Sequence, residues 1–189
     1  TLRYSETAPG SLSATLPRTK LSFPSTDPGP KNDAKWAAFL EKNHAELDRL
    51  WNESAPLRAW IDELAAAPAL GDLTSDFDSP ILGFRSLRLA SQLACARALQ
   101  LAAEGRRDEA VGIILPHLVA AQKLEPHART LVRRMISIAL RRQAQNTFAR
   151  VLDTGPLSPV TSARLADALA PRADVAEQAR LVALSEADI

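Results

Sequence analysis

The sequence predicts an all-α protein of about seven helices, packed as antiparallel hairpins and preceded by an extended N-terminal arm. Three observations support this fold class. After residue 33, apolar residues recur at steps of three and four, the spacing of one face of a helix. No run of alternating β-branched residues follows residue 33, so no strand is expected there. Residues 1–33 hold five of the 13 prolines, and proline interrupts helices.

Composition narrows the class of protein. The chain has 189 residues, of which 46% are hydrophobic and 24% charged, as in an ordinary globular domain. Its net charge of +1 excludes a globally basic nucleic-acid binder and an acidic disordered chain. The single cysteine, Cys95, excludes an intrachain disulfide and any multi-cysteine metal site. No 18 consecutive apolar residues occur, so no membrane span is predicted.

The first 33 residues are predicted to form an extended arm or linker, and residues 34–189 a single helical domain. Apolar residues alternate with polar ones in two short stretches of this arm, which is the period of an extended segment with one apolar side. We expect these residues to dock on the helical body of this chain or on a second copy: Leu12, Leu16, Leu21 and Phe23. A flexible linker is the other interpretation of the same composition.

The first two helices are predicted from amphipathic spacing and their end signals. Asp33 is expected to cap a helix that ends near Ser54. Its apolar positions follow helical steps: Trp36, Phe39, Leu40, Leu47, Leu50 and Trp51. A second helix is expected to begin at Pro56 and to stop before Pro68.

The third helix is predicted to be the central one. Ser79-Pro80 is a start signal, because Ser accepts from first-turn amides and Pro needs no donor there. Over residues 87–103 the helix is apolar or alanine on nearly every side, so we expect other helices to surround it. Gly105 is expected to end the helix near Glu104 in a left-handed conformation.

The fourth helix is led by Asp108 and Glu109, which suit the positive end of a helix. Pro116 lies inside it and is expected to produce a kink. The fifth helix is predicted to begin at Pro126. The apolar residues of its two halves point to different sides, so we expect a bend near residues 141–145 or a change of packing partner there.

The last two helices are predicted from Ser158-Pro159 and from Pro171 toward Ile189. We expect the third, fourth and fifth helices to share a single apolar cluster: Leu89, Leu93, Ala94, Leu101, Ile114, Leu131, Met135 and Ile136. Cys95 lies among alanines and leucines and is predicted to be a small buried residue without reactivity.

Residues 87–126 resemble a tetratricopeptide-type helical hairpin. The resemblance rests on Ala98 and Leu101 in the first helix, Gly105 at the turn, residues 108–110 at the start of the second helix, and Pro126 after it. His117 stands where this repeat family usually has a small residue. No second copy of the hairpin is visible at the family's repeat length. The resemblance implies a helical scaffold for protein–protein interaction.

The wider stretch from residue 87 to residue 157 is similar to a group of uncharacterised bacterial helical proteins, which follow a membrane anchor and a proline-rich segment. The shared residues include Leu87-Arg88-Leu89-Ala90 and Gly155-Pro156-Leu157. This similarity implies a periplasmic or other cell-envelope location. Because residue 1 is Thr, we expect a mature product or a chain that begins downstream of a leader or an anchor.

No motif of a known catalytic chemistry occurs, and no cofactor or metal is predicted. The three histidines, His44, His117 and His127, do not have the spacing of a metal-binding pair. Three aspartates between residues 72 and 78 do not fit the twelve-residue calcium loop, so they are read as caps and turns: Asp72, Asp76 and Asp78.

Charge is distributed unevenly along the chain. Residues 123–150 hold seven Lys/Arg and one acid, whereas residues 62–78 hold five acids and no base. These segments form two solvated surfaces, an internal electrostatic match, or a basic interaction face of Arg129, Arg133, Arg134, Arg141 and Arg142. Nucleic-acid binding is not expected, since the arginines spread around the helix and eight of the nine aromatic residues precede residue 85.

These observations favour a non-enzymatic scaffold or protein–protein interaction domain, with a protein partner or a homo-oligomer. The alternative is a helical enzyme or small-ligand-binding protein whose site is assembled from scattered residues: Arg85, Arg88, Arg97 and His117. A pocket with buried polar groups would favour the alternative, whereas a filled core with an exposed groove would favour the scaffold.

Overall fold

A computed structural model describes residues 19–67, 84–125 and 131–170. Within these ranges the chain has six helices and no strand, which confirms the all-α class. The helices are α1 (Pro30–Glu53), α2 (Ala55–Ala66), α3 (Phe84–Ala103), α4 (Arg107–Leu124), α5 (Leu131–Asp153) and α6 (Pro159–Leu169). The seventh predicted helix, from Pro171, lies outside the described residues. None of the helices in the described ranges has the length and apolarity that crossing a membrane requires.

Helix α1 begins four residues before its predicted start at residue 34. Pro30 occupies the first helical position, and Gly29 precedes it with a φ of +139°, which glycine adopts without steric cost. The prediction that Asp33 caps the helix is therefore wrong. Asp33 lies inside the first turn, where its carboxylate still faces the positive end of the helix dipole.

A kink divides α1 into two parts. Asn43 has non-helical angles, with φ −113° and ψ 16°, and its side-chain amide donates to the carbonyl of Phe39 at 2.8 Å. Such a bond to the carbonyl four residues earlier competes with the helix's own hydrogen bonds. The first part buries Trp36, and the second part buries Leu47 and Leu50.

Helix α3 lies at the centre, as its sequence predicts, and packs against α1, α4 and α5. Five of its six alanines are almost completely buried: Ala90, Ala94, Ala96, Ala98 and Ala102. Gly105 ends the turn after it with a φ of +81°, as expected. The amide of Arg106 then donates to the carbonyl of Leu101 at 2.9 Å, which satisfies an acceptor that the end of the helix would leave free.

Helix α4 packs against α2, α3, α5 and α6 and continues through Pro116. Near its end, the ammonium group of Lys123 donates to the carbonyls of Ala65 and Ala67 at the C-terminus of α2. A cation at that end of a helix is favourable for the helix dipole. At its start, Asp108 accepts from the amide of Ser158 at 3.1 Å, which ties α4 to the start of α6.

Helix α5 buries one face along its length. The buried positions follow steps of three and four and include polar side chains: Arg134, Ser137, Leu140, Ala144, Phe148 and Val151. The prediction that Met135 belongs to the core is wrong, because its side chain is 60% exposed. The face is set by Ala144 and Phe148, and helical steps from these residues lead back to Arg134 and Ser137 rather than to Met135.

The core consists of two apolar clusters rather than the predicted single one. The larger cluster holds Leu93, Ala94, Leu101 and Ile114, and Leu89 packs against it. The second cluster joins α2 to α3, α4 and α5, and its members include Leu57, Ile61, Leu64, Leu124 and Leu140, with Ile136 packed against them. Helix α5 therefore changes cluster between residues 140 and 144. The side chain of Leu131 lies outside the described residues.

Helix α6 begins as predicted. Ser158 precedes Pro159 with extended backbone angles, and its hydroxyl accepts from the amide of Thr161 at 3.3 Å. Its other end is fixed by Gln122 of α4, whose side-chain amide donates to the carbonyl of Ala168 at 2.7 Å. Helix α6 thus closes one side of α4 and adds Leu165 to the larger cluster.

The central position of α3 predicts a large effect of truncation at Leu93. Leu93→Ala is expected to lower the free energy of unfolding by about 2–5 kcal/mol, because it leaves a cavity in the larger cluster. Leu152→Ala makes the same chemical change at a position that is 44% exposed. It is expected to change the free energy by less than about 0.5 kcal/mol. Urea unfolding followed by circular dichroism measures both, and equal effects would contradict the packing described above.

Candidate functional site

The described part of the arm, residues 19–29, has no regular secondary structure and lies against the helical body. Two of its amides donate to side chains of the arm, from Leu21 to Thr19 Oγ1 at 3.0 Å and from Asp27 to Ser25 Oγ at 3.2 Å. Leu21 and Phe23 are half-buried and pack against the larger cluster. The ring centre of Phe23 lies 5.3 Å from that of Phe39 in α1, and Phe39 in turn meets the edge of Trp36 at 5.6 Å. Of the four residues predicted to dock, Leu12 and Leu16 lie outside the described residues.

On the side of α1, Trp36 binds the backbone of the arm. Its indole nitrogen Nε1 donates to the carbonyl of Ser25 at 2.9 Å, while the ring itself is buried. A buried indole N–H needs an acceptor, and here the arm supplies it. The arm is therefore part of what satisfies the buried polar groups of α1.

On the side of α5, three polar residues at four-residue intervals bind Asp27. Arg142 Nη2 lies 3.1 Å from Asp27 Oδ1, and Asn146 Nδ2 donates to the same oxygen at 3.3 Å. Arg150 Nη2 donates to the backbone carbonyl of Asp27 at 2.9 Å. Residues four apart are neighbours on a helix surface, so one strip of α5 holds both the side chain and the backbone of Asp27.

We call the receiving surface the seam; its residues are Trp36 and Phe39 of α1 and Arg142, Asn146 and Arg150 of α5. The arm crosses the seam and connects the two helices. Both of these helices pack on α3, which holds them in place relative to each other. The seam is thus a surface built by two supported helices and occupied by a segment without regular secondary structure.

Arg150 is the most buried charge of the seam. Besides the carbonyl of Asp27, its Nη2 contacts Asp33 Oδ1 at 3.0 Å, and the residue is only 9% exposed. Its atoms Nε and Nη1 are buried and have no hydrogen-bond partner within the described residues. A buried donor without a partner costs about 1–3 kcal/mol. The arm therefore leaves part of the hydrogen-bonding capacity of Arg150 unused.

Cys95 lies on the side of α3 that faces α5, close to the seam. It is fully buried, as predicted, and Thr147 Oγ1 lies 3.1 Å from its sulfur, with Gln143 Nε2 at 3.5 Å. Burial raises the pKa of the thiol to about 11, although the hydrogen bonds from Thr147 and Gln143 act in the opposite direction. A neutral, enclosed thiol is not a nucleophile.

Of the predicted basic face, the structure describes the side chains of Arg134, Arg141 and Arg142. Arg134 is buried, Arg141 contacts the buried carboxylate of Glu125 at 2.8 Å, and Arg142 contacts Asp27. Arg129 and the side chain of Arg133 lie outside the described residues. In the described part of the chain, the acids that meet the basic segment 123–150 come from the arm, α1 and the end of α4: Asp27, Asp33 and Glu125.

The residues of the alternative small-ligand site do not meet on one helix face. Arg88 and Arg97 are nine residues apart on α3, which places them on opposite sides of the helix. Arg88 is exposed, and Arg97 contacts Asp48 of α1 at 3.1 Å. The side chain of Arg85 lies outside the described residues. His117 lies on α4 and is buried.

A metal centre would require several His, Cys, Asp or Glu side chains close together. Within residues 19–67, 84–125 and 131–170, no three potential metal ligands come together. His44 contacts Asp48 at 3.2 Å on the surface of α1. His127 and the three aspartates of residues 72–78 lie outside these ranges.

Comparisons with known proteins do not extend these observations. The chain matches no family model, no curated protein and no solved structure. What the protein does is therefore inferred from its own contacts.

Asp27, Asn146 and Arg150 were not predicted to take part in arm docking. One signal was present in the sequence, since Arg142, Asn146 and Arg150 recur every fourth residue and Asp27 is the only acid of residues 19–29. Spacing along α5 shows that these side chains share a strip, but it does not show that the arm crosses it. That fact depends on the tertiary fold.

Burial of His117 predicts a dependence of stability on pH. Desolvation lowers its pKa to about 4, whereas the unfolded side chain titrates near 6.5. The unfolded state therefore takes up a proton first as pH falls below 6.5, and stability is lost until pH approaches 4. Between pH 7 and pH 5 the loss from this residue is expected to be about 2 kcal/mol.

The pH effect is measured by urea unfolding of the parent chain and of His117→Leu, which removes the titrating group. The variant is expected to lose less stability than the parent over this pH interval. Leu152→Ala removes no titrating group and is expected to keep the parent's pH dependence. The same change in the free energy of unfolding with pH for the parent and for His117→Leu would contradict the burial of His117.

Burial of Cys95 predicts slow reaction with a thiol reagent. The native protein is expected to react at least about a hundredfold more slowly than the urea-unfolded chain at pH 8, because both access and deprotonation require opening of α3 and α5. Ala103→Cys, combined with Cys95→Ala, places a thiol at an exposed position of the same helix and is expected to react rapidly. Rapid labelling of native Cys95 would contradict its enclosure.

Proposed function

We propose that this protein is a non-enzymatic helical interaction domain that binds a peptide segment along the seam. Its own arm occupies this surface in the absence of a partner. The observation that carries the proposal is that α1 and α5 bind the backbone of a non-helical segment through fixed side-chain donors. The carbonyl of Ser25 accepts a hydrogen bond from Trp36 Nε1, and the carbonyl of Asp27 accepts one from Arg150 Nη2.

These two carbonyls are features of any peptide. They belong to alternate residues, Ser25 and Asp27, and the amide of Asp27 donates to Ser25 Oγ at 3.2 Å between them. A surface that holds donors for two such carbonyls recognises the main chain of a bound segment, and neighbouring side-chain contacts then select the sequence. Peptide-binding domains commonly combine affinity from the main chain with specificity from side-chain pockets.

The arm is held by contacts that a competing segment can replace. The side chains of Asp27 and Arg142 are 54% and 69% exposed, and exposed ion pairs contribute only about 0–1 kcal/mol. Ordering each arm residue costs about 1–2 kcal/mol in backbone entropy, which such pairs do not offset by themselves. The half-buried Leu21 and Phe23 therefore supply most of what holds the arm.

The proposal also includes the hairpin beneath the seam, the location of the protein and its oligomeric form. We infer that α3 and α4, joined by the turn at Gly105, act as a single tetratricopeptide-like hairpin that supports the seam. The cell-envelope location follows only from the resemblance described above and is proposed on that basis. A second copy of the chain, whose arm would enter the same seam, is the homo-oligomeric form of the proposal.

The test uses the full chain with the arm's two anchors removed by Phe23→Ala and Asp27→Ala, which we call the opened chain. A labelled peptide with the sequence of residues 19–29 is titrated by fluorescence anisotropy. The opened chain is expected to bind it at least about tenfold more tightly than the parent, because a tethered arm competes at an effective concentration in the millimolar range.

The control for this titration is Lys20→Ala, which changes an exposed arm residue without a described contact to the seam. It is expected to bind the peptide as weakly as the parent does. Amide hydrogen exchange at residues 19–29 shows directly whether the arm of the opened chain is released. An opened chain that stays folded, releases its arm and binds no peptide would disprove the proposed function.

A further inference from the structure

We infer that the partner of the seam is a protein segment in which an aromatic residue is followed four residues later by a carboxylate. This inference rests on the proposed function and specifies its ligand. It derives from the two arm side chains that contact the seam at its opposite ends, Phe23 and Asp27. Phe23 uses the aromatic surface of α1, and Asp27 uses the basic strip of α5.

The aromatic requirement comes from α1. Phe23 stacks in a tilted arrangement against Phe39, which is itself held by an edge contact with Trp36. Aromatic pairs of this geometry contribute about 0.5–1.5 kcal/mol beyond the area that they bury. Trp36 is buried in the larger cluster, so this aromatic surface is fixed before a segment binds. An aliphatic residue would fill the space without these ring contacts.

The carboxylate requirement comes from α5. The charged groups around Asp27 are Arg142 and Arg150 of α5 and Asp33 of α1, so the seam carries one net positive charge when Asp27 is removed from the sum. Asn146 adds a neutral donor to the same carboxylate oxygen. A partner without an acid at this position would leave Arg142 without the contact that it has in the structure.

The distance between the two requirements is set by the arm itself. Phe23 and Asp27 are four residues apart, and the backbone bonds at Ser25 and Asp27 fix the segment on α1 and α5. From these backbone anchors the side chain of Asp27 reaches Arg142 and Asn146. The spacing is therefore part of the specificity.

The test compares four peptides on the opened chain: the sequence of residues 19–29, and the same peptide with Phe23→Ala, Asp27→Asn or Lys20→Ala. The Asp27→Asn peptide is expected to bind about fivefold more weakly, through loss of the exposed charge pairs. The Phe23→Ala peptide is expected to bind at least about tenfold more weakly. The Lys20→Ala peptide is the control and is expected to bind within about twofold of the unaltered one.

Exchanging the charges of Arg142 and Asp27 then distinguishes recognition of the peptide by Arg142 from a structural role of Arg142. Arg142→Glu in the opened chain is expected to weaken binding of the unaltered peptide and to restore binding of a peptide with Asp27→Lys. Arg164→Glu makes the same change of net charge at an exposed position of α6 and is expected to leave both affinities unchanged. A merely structural role of Arg142 would lower the affinity of both peptides equally.

The outcomes distinguish this inference from the proposed function. Binding of all four peptides with equal affinity would overturn the recognition pattern and leave the peptide-binding seam intact. Absence of any binding to a folded opened chain would overturn the proposed function itself. Should the opened chain fail to fold, the single variant Asp27→Ala, altered at an exposed side chain, is tested with the same peptides. A parent chain that sediments as a dimer and dissociates on Asp27→Ala would make the occupant a second copy and overturn the assignment to a partner protein.

Discussion

Close packing around the alanine-rich helix α3 is the constraint on which the rest of the structure depends. Small side chains let the neighbouring helices approach it on several sides, and α1, α4 and α5 all use this space. Because α1 and α5 both rest on α3, the donors Trp36 and Arg150 are held at a fixed separation. The seam is thus a consequence of the core, although its residues lie at the surface of the helical body. Loosening α3 would disturb the seam without touching any residue that contacts the arm.

Local signals in the sequence predicted most of the helical framework. Gly105 ends α3 and Ser158 caps α6 because caps and turns act through residues a few positions away. Asp33 failed as a cap because Gly29 and Pro30 offer an earlier start, and propensity alone does not decide between two start signals. Met135 failed as a core residue because the buried face of α5 includes Arg134 and Ser137. Which side of a weakly amphipathic helix is buried depends on its neighbours.

The site was predicted only in part. Alternation of apolar residues indicated that Leu21 and Phe23 would face a surface, since that period belongs to the backbone of an extended chain. The surface itself combines residues of α1 and α5 that are more than 100 positions apart, and no spacing rule joins Asp27 to Asn146. The unpaired donors of Arg150 are likewise a property of packing. Sequence patterns therefore identified the docking segment, whereas its receptor became visible only in the tertiary structure.

The contacts of the arm with α5 join residues that the ribosome makes at different times. Asp27 meets Asn146 and Arg150, which follow it by 119 and 123 residues. At a translation rate of roughly 5–20 residues per second, the arm leaves the ribosome about 6–25 seconds before these residues of α5. During that interval Asp27 has no native partner on α5, whereas Ser25 and Trp36, which are 11 residues apart, have both been made. The α1 side of the seam can therefore form before its α5 side, and until α5 has been made Asp27 is accessible to other segments.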